Sequence, residues 1–161
     1  MFKYLIIFIF VFTAFKINAD ELFGIVIKVY DGDTITLVDN KNKKYKIRLD
    51  KIDAPEKKQL YGLQSQNELA KLILNKKIKV IYSKIDRYQR VLGVIYLDNI
   101  EVNLYMVKNG FAWHYGKYDK TLIYIQAQKD AQKYKKGLWQ YSNSINPEQY
   151  RKLSRGRGKI F

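Results

Sequence analysis

At 161 residues the chain has room for one compact domain and hardly two, and 47% hydrophobic with 15% aromatic residues is enough for a sizeable core, which excludes general disorder. With no cysteine and one histidine, His114, a disulfide scaffold, a thiolate zinc site, a cysteine nucleophile and every histidine-pair mechanism are excluded, so metal-assisted hydrolysis would rest on oxygen ligands. Lys and Arg total 30 against 15 Asp and Glu, a net charge of +15 that draws in polyanions such as nucleic acid or anionic membranes, although a merely soluble basic surface has the same balance.

In chain order, Lys3 precedes an apolar stretch from Tyr4 that runs almost unbroken through Phe15, and Lys16 to Ala19 lead into Asp20 and Glu21. This is the layout of a signal peptide, too short to span a bilayer, with cleavage expected after Ala19. Ile17 stands where a small residue is usual before a cut, so an uncleaved anchor through residues 4–15 is the alternative. The divisions expected are therefore 1–19 as signal peptide or anchor, 20–145 as the folded domain and 146–161 as a basic tail. The location expected is secreted, periplasmic or at the cell envelope.

Phe23, Ile25, Ile27 and Val29 alternate with Gly24, Val26, Lys28 and Tyr30, the period of a strand with one buried face. Strands are expected again over Thr34 to Val38 and Tyr45 to Asp50, where Tyr45, Ile47 and Leu49 share a face and Arg48 takes the other. Pro55 stops regular pairing, and a polar loop leads to a helix from Gln64 to Leu74 carrying Gln66, Ala70, Ile73 and Leu74 on one side. Strands resume over Ile78 to Ser83 and Arg90 to Leu97. A short helix from Val102 to Lys108 stops at Asn109-Gly110, and a longer one from Lys120 to Lys136 aligns Ile123, Ala127, Ala131 and Tyr134 before Gly137. Five strands with an inserted helix and later helices fit a mainly β, α+β fold: a five-stranded Greek-key barrel of the OB type with about three helices.

Three short segments carry the candidate chemistry. Asp31-Gly32-Asp33-Thr34 puts two carboxylates on a turn, an arrangement that holds an oxygen-preferring cation but is also the commonest kind of hairpin turn. It is not an EF-hand, because Ile35 and Asn42 stand at the fifth and twelfth positions. Arg48-Leu49-Asp50-Lys51-Ile52-Asp53-Ala54-Pro55-Glu56 sets a guanidinium before further carboxylates at a proline-stiffened bend, and Asp86-Arg87-Tyr88-Gln89-Arg90 offers another guanidinium at a strand start.

In order and spacing these segments resemble the staphylococcal nuclease, or thermonuclease, family. Gly110-Phe111-Ala112-Trp113, Tyr115, Tyr118 and Lys136-Gly137-Leu138-Trp139 resemble that family's later landmarks, so the likeness runs from about Phe23 to Trp139. The resemblance implies an OB-barrel phosphodiesterase, calcium-dependent and monomeric, that cuts DNA and RNA with little sequence preference, favours single strands and leaves 3′-phosphate ends. Asp33, Asp53 and the Ala54 carbonyl match the Ca2+ ligands, with Asp31 behind them; the family often has Thr where Ala54 stands. Glu56 matches the carboxylate that positions or deprotonates the attacking water, and Arg48 and Arg90 match the guanidiniums that hold the scissile phosphate. Arg87, Tyr88, Tyr115 and Tyr118 are expected to hold phosphates or flank a base, and His114 has no assigned role.

Two rivals differ in class. Glu56-Lys57-Lys58 imitates the Glu-x-Lys element of another nuclease architecture, but that element belongs on a central strand and not in a loop after a proline. A noncatalytic OB module that binds nucleic acid or protein, possibly anchored in a membrane, would share the fold without the hydrolysis.

Overall fold

The computed structural model describes residues 19–157, with the side chains of the last two left aside. The proposed signal segment therefore falls outside the described residues, save Ala19. Five strands form the body: β1 (Asp20–Val29), β2 (Thr34–Val38), β3 (Lys44–Leu49), β5 (Lys77–Ile85) and β6 (Val91–Leu97), with two-residue β4 (Ile52–Asp53), β7 (Ile100–Glu101) and β8 (Trp113–His114) at the margins. The order β3-β2-β1-β5-β6 runs antiparallel until β6 meets β3 in parallel, Arg48 opposite Leu92, and that pairing closes the barrel. Helix α1 (Gly62–Ile73) lies between the third and fourth long strands, and α2 (Val102–Lys108), α3 (Leu122–Lys133) and α4 (Pro147–Arg157) follow the last. The expected OB-type barrel is the observed architecture, with four helices.

The core is the inward set of the strands, Val26, Ile35, Leu37, Ile47, Leu49, Val80 and Ile95, closed by Leu69 and Ile73 of α1 and by Val102, Met106 and Val107 of α2, all buried. On β1 the inward residues are Gly24 and Val26, whereas Phe23, Ile25 and Ile27 are exposed. Both rows of β1 hold apolar residues, so alternation alone does not choose between them; close packing does. A Cβ on Gly24 would sit 2.3 Å from the Val38 carbonyl oxygen and 2.5 Å from Leu37 Cδ2, so this strand lies tight against β2. A register shift between Val26 and Lys28 then returns Val29 to the inner side, half-buried.

The buried face of α1 lies about one residue from the expected one, while α3 buries the expected Ala127 and Ala131 and differs at the flanking positions. On α1 the buried positions are Gly62, Ser65, Leu69 and Ile73. On α3 they are Tyr124, Ala127 and Ala131, with Ile123 and Tyr134 outward. Tyr124 accounts for the difference on α3, since its hydroxyl donates to Glu101 at the start of α2 and its ring fills space beside His114. Gly110 and Gly137, at φ 71° and 53°, lie so close that a Cβ on Gly110 would overlap the Lys136 carbonyl and one on Gly137 the Gly110 carbonyl, and Leu138 N–H donates to Gly110 O at 2.8 Å. Trp113 and Trp139 then meet edge to face, 4.3 Å between ring centres, which explains why both Gly and Trp landmarks recur together.

Buried Asn103 ties the helical layer to the barrel. Its Oδ1 accepts the Ile95 N–H at 3.0 Å, and its Nδ2 donates to Asp50 O at 2.8 Å and Gly93 O at 3.1 Å. One side chain thus fixes α2, β6 and the corner after β3, from which the site is built.

Candidate active site

Two glycines bring the chemical segments together. Gly32, between Asp31 and Asp33, packs so tightly that a Cβ there would lie 1.8 Å from Ser65 Oγ of α1 and 2.7 Å from the Ala54 side chain. Gly62 opens α1 against the loop after Pro55, where a Cβ would lie 1.9 Å from the Glu56 carbonyl oxygen. The turn bearing Asp33 is pressed onto the bend bearing Asp53 and Ala54, and Glu56 is held at the mouth.

Asp33, 5% exposed, accepts the Ala54 N–H at 2.7 Å through Oδ2 and the Thr34 hydroxyl at 2.9 Å through Oδ1. Arg48 lies across the two acids, 3.1 Å from Asp33 Oδ2 and 2.9 Å from Asp53 Oδ1, and also donates to the carbonyls of Leu49 and Ile52 at 2.9 Å each. The strand alternation that turned Arg48 away from Leu49 thus delivers it to the carboxylates. Arg90 is set from the next hairpin: Asp86 accepts its N–H and its Nε–H, at 2.9 and 2.8 Å, and pairs with its Nη2 at 2.8 Å. Burial raises Asp86, but the Arg90 and Tyr88 N–H groups and the Arg90 guanidinium together hold it below the ordinary carboxylate value.

A cleft of about 730 Å³ is lined by Asp31, Asp33, Arg48, Ala54, Glu56, Arg87, Tyr88, Arg90, Tyr115 and Tyr118. Every anticipated site residue lines this one cleft except Asp53, which is fully buried and paired with the Arg48 and Arg151 guanidiniums. Tyr88 and Tyr118 stand largely exposed at its rim, the former beneath Arg87 and Arg90, 4.9 and 5.5 Å from the ring centre, while Tyr115 packs edge-on against Tyr118. His114 is elsewhere: buried, with Nε2 2.9 Å from Asp119 Oδ2, it helps hold the entry to α3.

Sequence reasoning did not find Arg151. The segment expected as a basic tail contains α4, and Arg151 on that helix reaches Asp53 through Nη2 at 2.8 Å and Nη1 at 3.1 Å, and Glu56 through Nη1 at 2.8 Å. Glu148 and Arg151 at helical spacing after Pro147 were the available signal for a helix start, but nothing local assigns a partner 98 residues away.

Burial works against two of the acids. Burial first, and the neighbouring Asp33 charge second, push Asp31 from 3.8 up to about 7. Burial likewise raises Asp53 against the opposing hydrogen bonds of Arg151. A raised value means that the folded protein keeps a proton on Asp31 that the unfolded chain releases. Its stabilising contribution is therefore complete below about pH 4 and lost as pH rises toward about 7. In chelator, Asp31→Asn is expected to remove this loss and to be more stable than wild type at about pH 8, with little difference at about pH 4. Thermal melts of both proteins at the two pH values check it.

Comparison with known proteins places the chain in a family. The family described as "Staphylococcal nuclease homologue" matches residues 46–141. The chain belongs to the staphylococcal nuclease family. Relatives in this family include an "Uncharacterized endonuclease" of Haemophilus influenzae, 45% identical over 127 residues, which are 79% of this chain and 71% of that protein. A protein of the same description from Escherichia coli is 40% identical over 90% of this chain and 94% of its own length. A "Micrococcal nuclease" of Shigella flexneri is 35% identical over 82% of each chain. The matched segment contains Arg48, Asp53, Ala54, Glu56 and Arg90, and Asp33 precedes it.

Proposed function

We propose that the chain is a calcium-dependent nuclease that hydrolyses phosphodiester bonds of DNA and RNA with little sequence preference and leaves 3′-phosphate ends. The observation that carries this reading is the convergence of Asp33, Arg48, Ala54, Glu56 and Arg90, from segments far apart in sequence, on one cleft, with Asp53 directly behind it. The nuclease names of its relatives support it. Export follows from the reading of residues 1–19, and action as a monomer from the resemblance; none of the described helices is long and apolar enough to cross a membrane.

The donor chemistry fits a hard cation. Among the described residues no three acidic or imidazole side chains cage an ion unaided, so Asp33, Asp53 and the Ala54 carbonyl would hold it with water and phosphate oxygens completing the set. Asp33 and Asp53 lie side by side under Arg48, and their carboxylates with the Ala54 carbonyl are the hard oxygen donors such an ion prefers. When bound, calcium would neutralise phosphate charge and orient the scissile group.

The chain's own residues do the rest. Glu56 orients the attacking water and takes its proton; the new phosphorus–oxygen bond forms as the bond to the 5′ oxygen breaks, and that oxygen takes a proton from solvent to leave as a hydroxyl, with phosphate remaining on the 3′ side. Arg90 and Arg48 place planar donors against the equatorial oxygens, where charge grows. Exposed Tyr88 and Tyr118 offer ring faces to unpaired bases, which favours single-stranded substrate. The protein lacking residues 1–19 is expected to degrade single-stranded DNA and RNA with calcium and to stop with chelator. Binding without cleavage under the same conditions would point to the noncatalytic module instead.

A further inference from the structure

Asp53 is wholly inaccessible, and two guanidiniums lie on its carboxylate. Arg151 spans both its oxygens, and Arg48 shares Oδ1. A cation that takes Asp53 as a ligand must displace one of them, and the two are held very differently. Arg48 is 12% exposed, grows from a barrel strand and donates to two carbonyls as well as pairing with both acids. Arg151 is 30% exposed, has only Asp53 and Glu56 as described partners, and sits on a helix whose sole fully buried residue, among those described, is Pro147.

Helix α4 has little else to keep it in place. Among the described residues its other polar links to the body are the pair Lys117 Nζ to Glu148 at 3.3 Å and the Gln59 amide to Ile145 O at 2.7 Å just before the helix, and Tyr150 is half-buried. Exposed ion pairs of that kind hold weakly, and a surface helix without a buried apolar stripe opens readily.

We infer that Arg151 is a built-in counter-ion for the acidic site, and that a divalent cation and the docked α4 helix compete for Asp53. The inference rests on the reading of Asp33 and Asp53 as cation ligands. Competition of this kind is reciprocal: whatever docking costs the cation in affinity, the cation costs docking. A released Arg151, with Arg155 one turn further on and lining the same cleft, brings positive charge to the substrate backbone only once the cation is in place.

The test is calcium titration of the full chain by calorimetry, without substrate, beside hydrogen exchange of the α4 amides. Arg151→Ala is expected to bind calcium about tenfold more tightly than wild type, and Arg151→Lys to fall between them, since a single ammonium cannot span both oxygens of Asp53. In wild type, calcium is expected to speed exchange over residues 148–155. Equal or weaker calcium binding by Arg151→Ala, or slower exchange of α4 on calcium addition, overturns the inference and leaves the calcium site standing. If wild type and Arg151→Ala both bind no calcium while Asp33 and Asp53 are intact, the cation reading falls and takes the inference with it.

Discussion

Alanine at Arg90 is expected to leave the fold intact and to lower the cleavage rate by about 100- to 1,000-fold, the usual consequence of losing one preorganised donor to a charge that grows in the transition state. Arg90 is partly exposed and its ion-pair partner, Asp86, also accepts N–H bonds from the main chain of its own turn, so the hairpin keeps its shape without the guanidinium. Alanine at Arg48 should cost at least as much in rate, but it removes the fold's support as well. Asp53 would lose one of two described guanidiniums, Asp33 the one described for it, and the Leu49 and Ile52 carbonyls this donor. Breaking such a buried pair costs about 3–5 kcal/mol. Lysine rescues neither position, because a point charge cannot meet the four acceptors of Arg48 or the fork geometry required of Arg90. Melting curves beside kinetics separate the two arginines. Equal stability losses in both variants would contradict their distinct roles.

Gly32→Ala is the second large effect. Here the obstacle is packing and not backbone freedom: the added methyl would lie 1.8 Å from Ser65 Oγ and 2.7 Å from the Ala54 Cβ. Ser65 is buried and donates to Phe111 O at 2.7 Å, so it has no vacant direction to move. Overpacking of this kind costs about 1–3 kcal/mol. It should also part the Asp33 turn from the Asp53–Ala54 bend, to which Asp33 is bound through the Ala54 N–H. Stability and activity are therefore expected to fall together. Adding Ser65→Ala removes the nearest atom and should restore part of the stability, and a double-mutant cycle by denaturant unfolding measures that coupling. Additive losses would mean that the two residues do not press on each other.

The barrel and the helix inserted in it were legible because strand alternation, Pro55 and the Asn109-Gly110 stop are local signals with local causes. The site segments were legible for a different reason: in Arg48 to Glu56 the residue types and spacing are themselves unusual. What was not legible depends on contacts made across the chain. The inward face of β1 is chosen by the approach of Gly24 to Leu37 and Val38, which alternation of apolar residues on both faces cannot reveal. The difference on α3 follows from the Tyr124 hydroxyl reaching Glu101, and a polar tip on a large ring reads from sequence as surface as easily as core. Arg151 looked like one more charge in a basic terminus. Its meaning comes only from a partner at Asp53, on the far side of the sequence. Asp86 was quoted with its motif, but its hold on Arg90 became visible only when the hairpin brought the main-chain and side-chain donors to one carboxylate.

The central claim is that the carboxylate at the mouth of the cleft acts on the water that attacks the phosphodiester, and Glu56→Gln tests it most directly. Glutamine preserves the size of the side chain and one acceptor for Arg151 while removing the charge and the proton-accepting power. Single-turnover cleavage of single-stranded DNA at saturating calcium is expected to slow by about 100- to 10,000-fold, with melting temperature and DNA affinity nearly unchanged. Cleavage at the wild-type rate by a folded, DNA-binding Glu56→Gln protein would contradict the account.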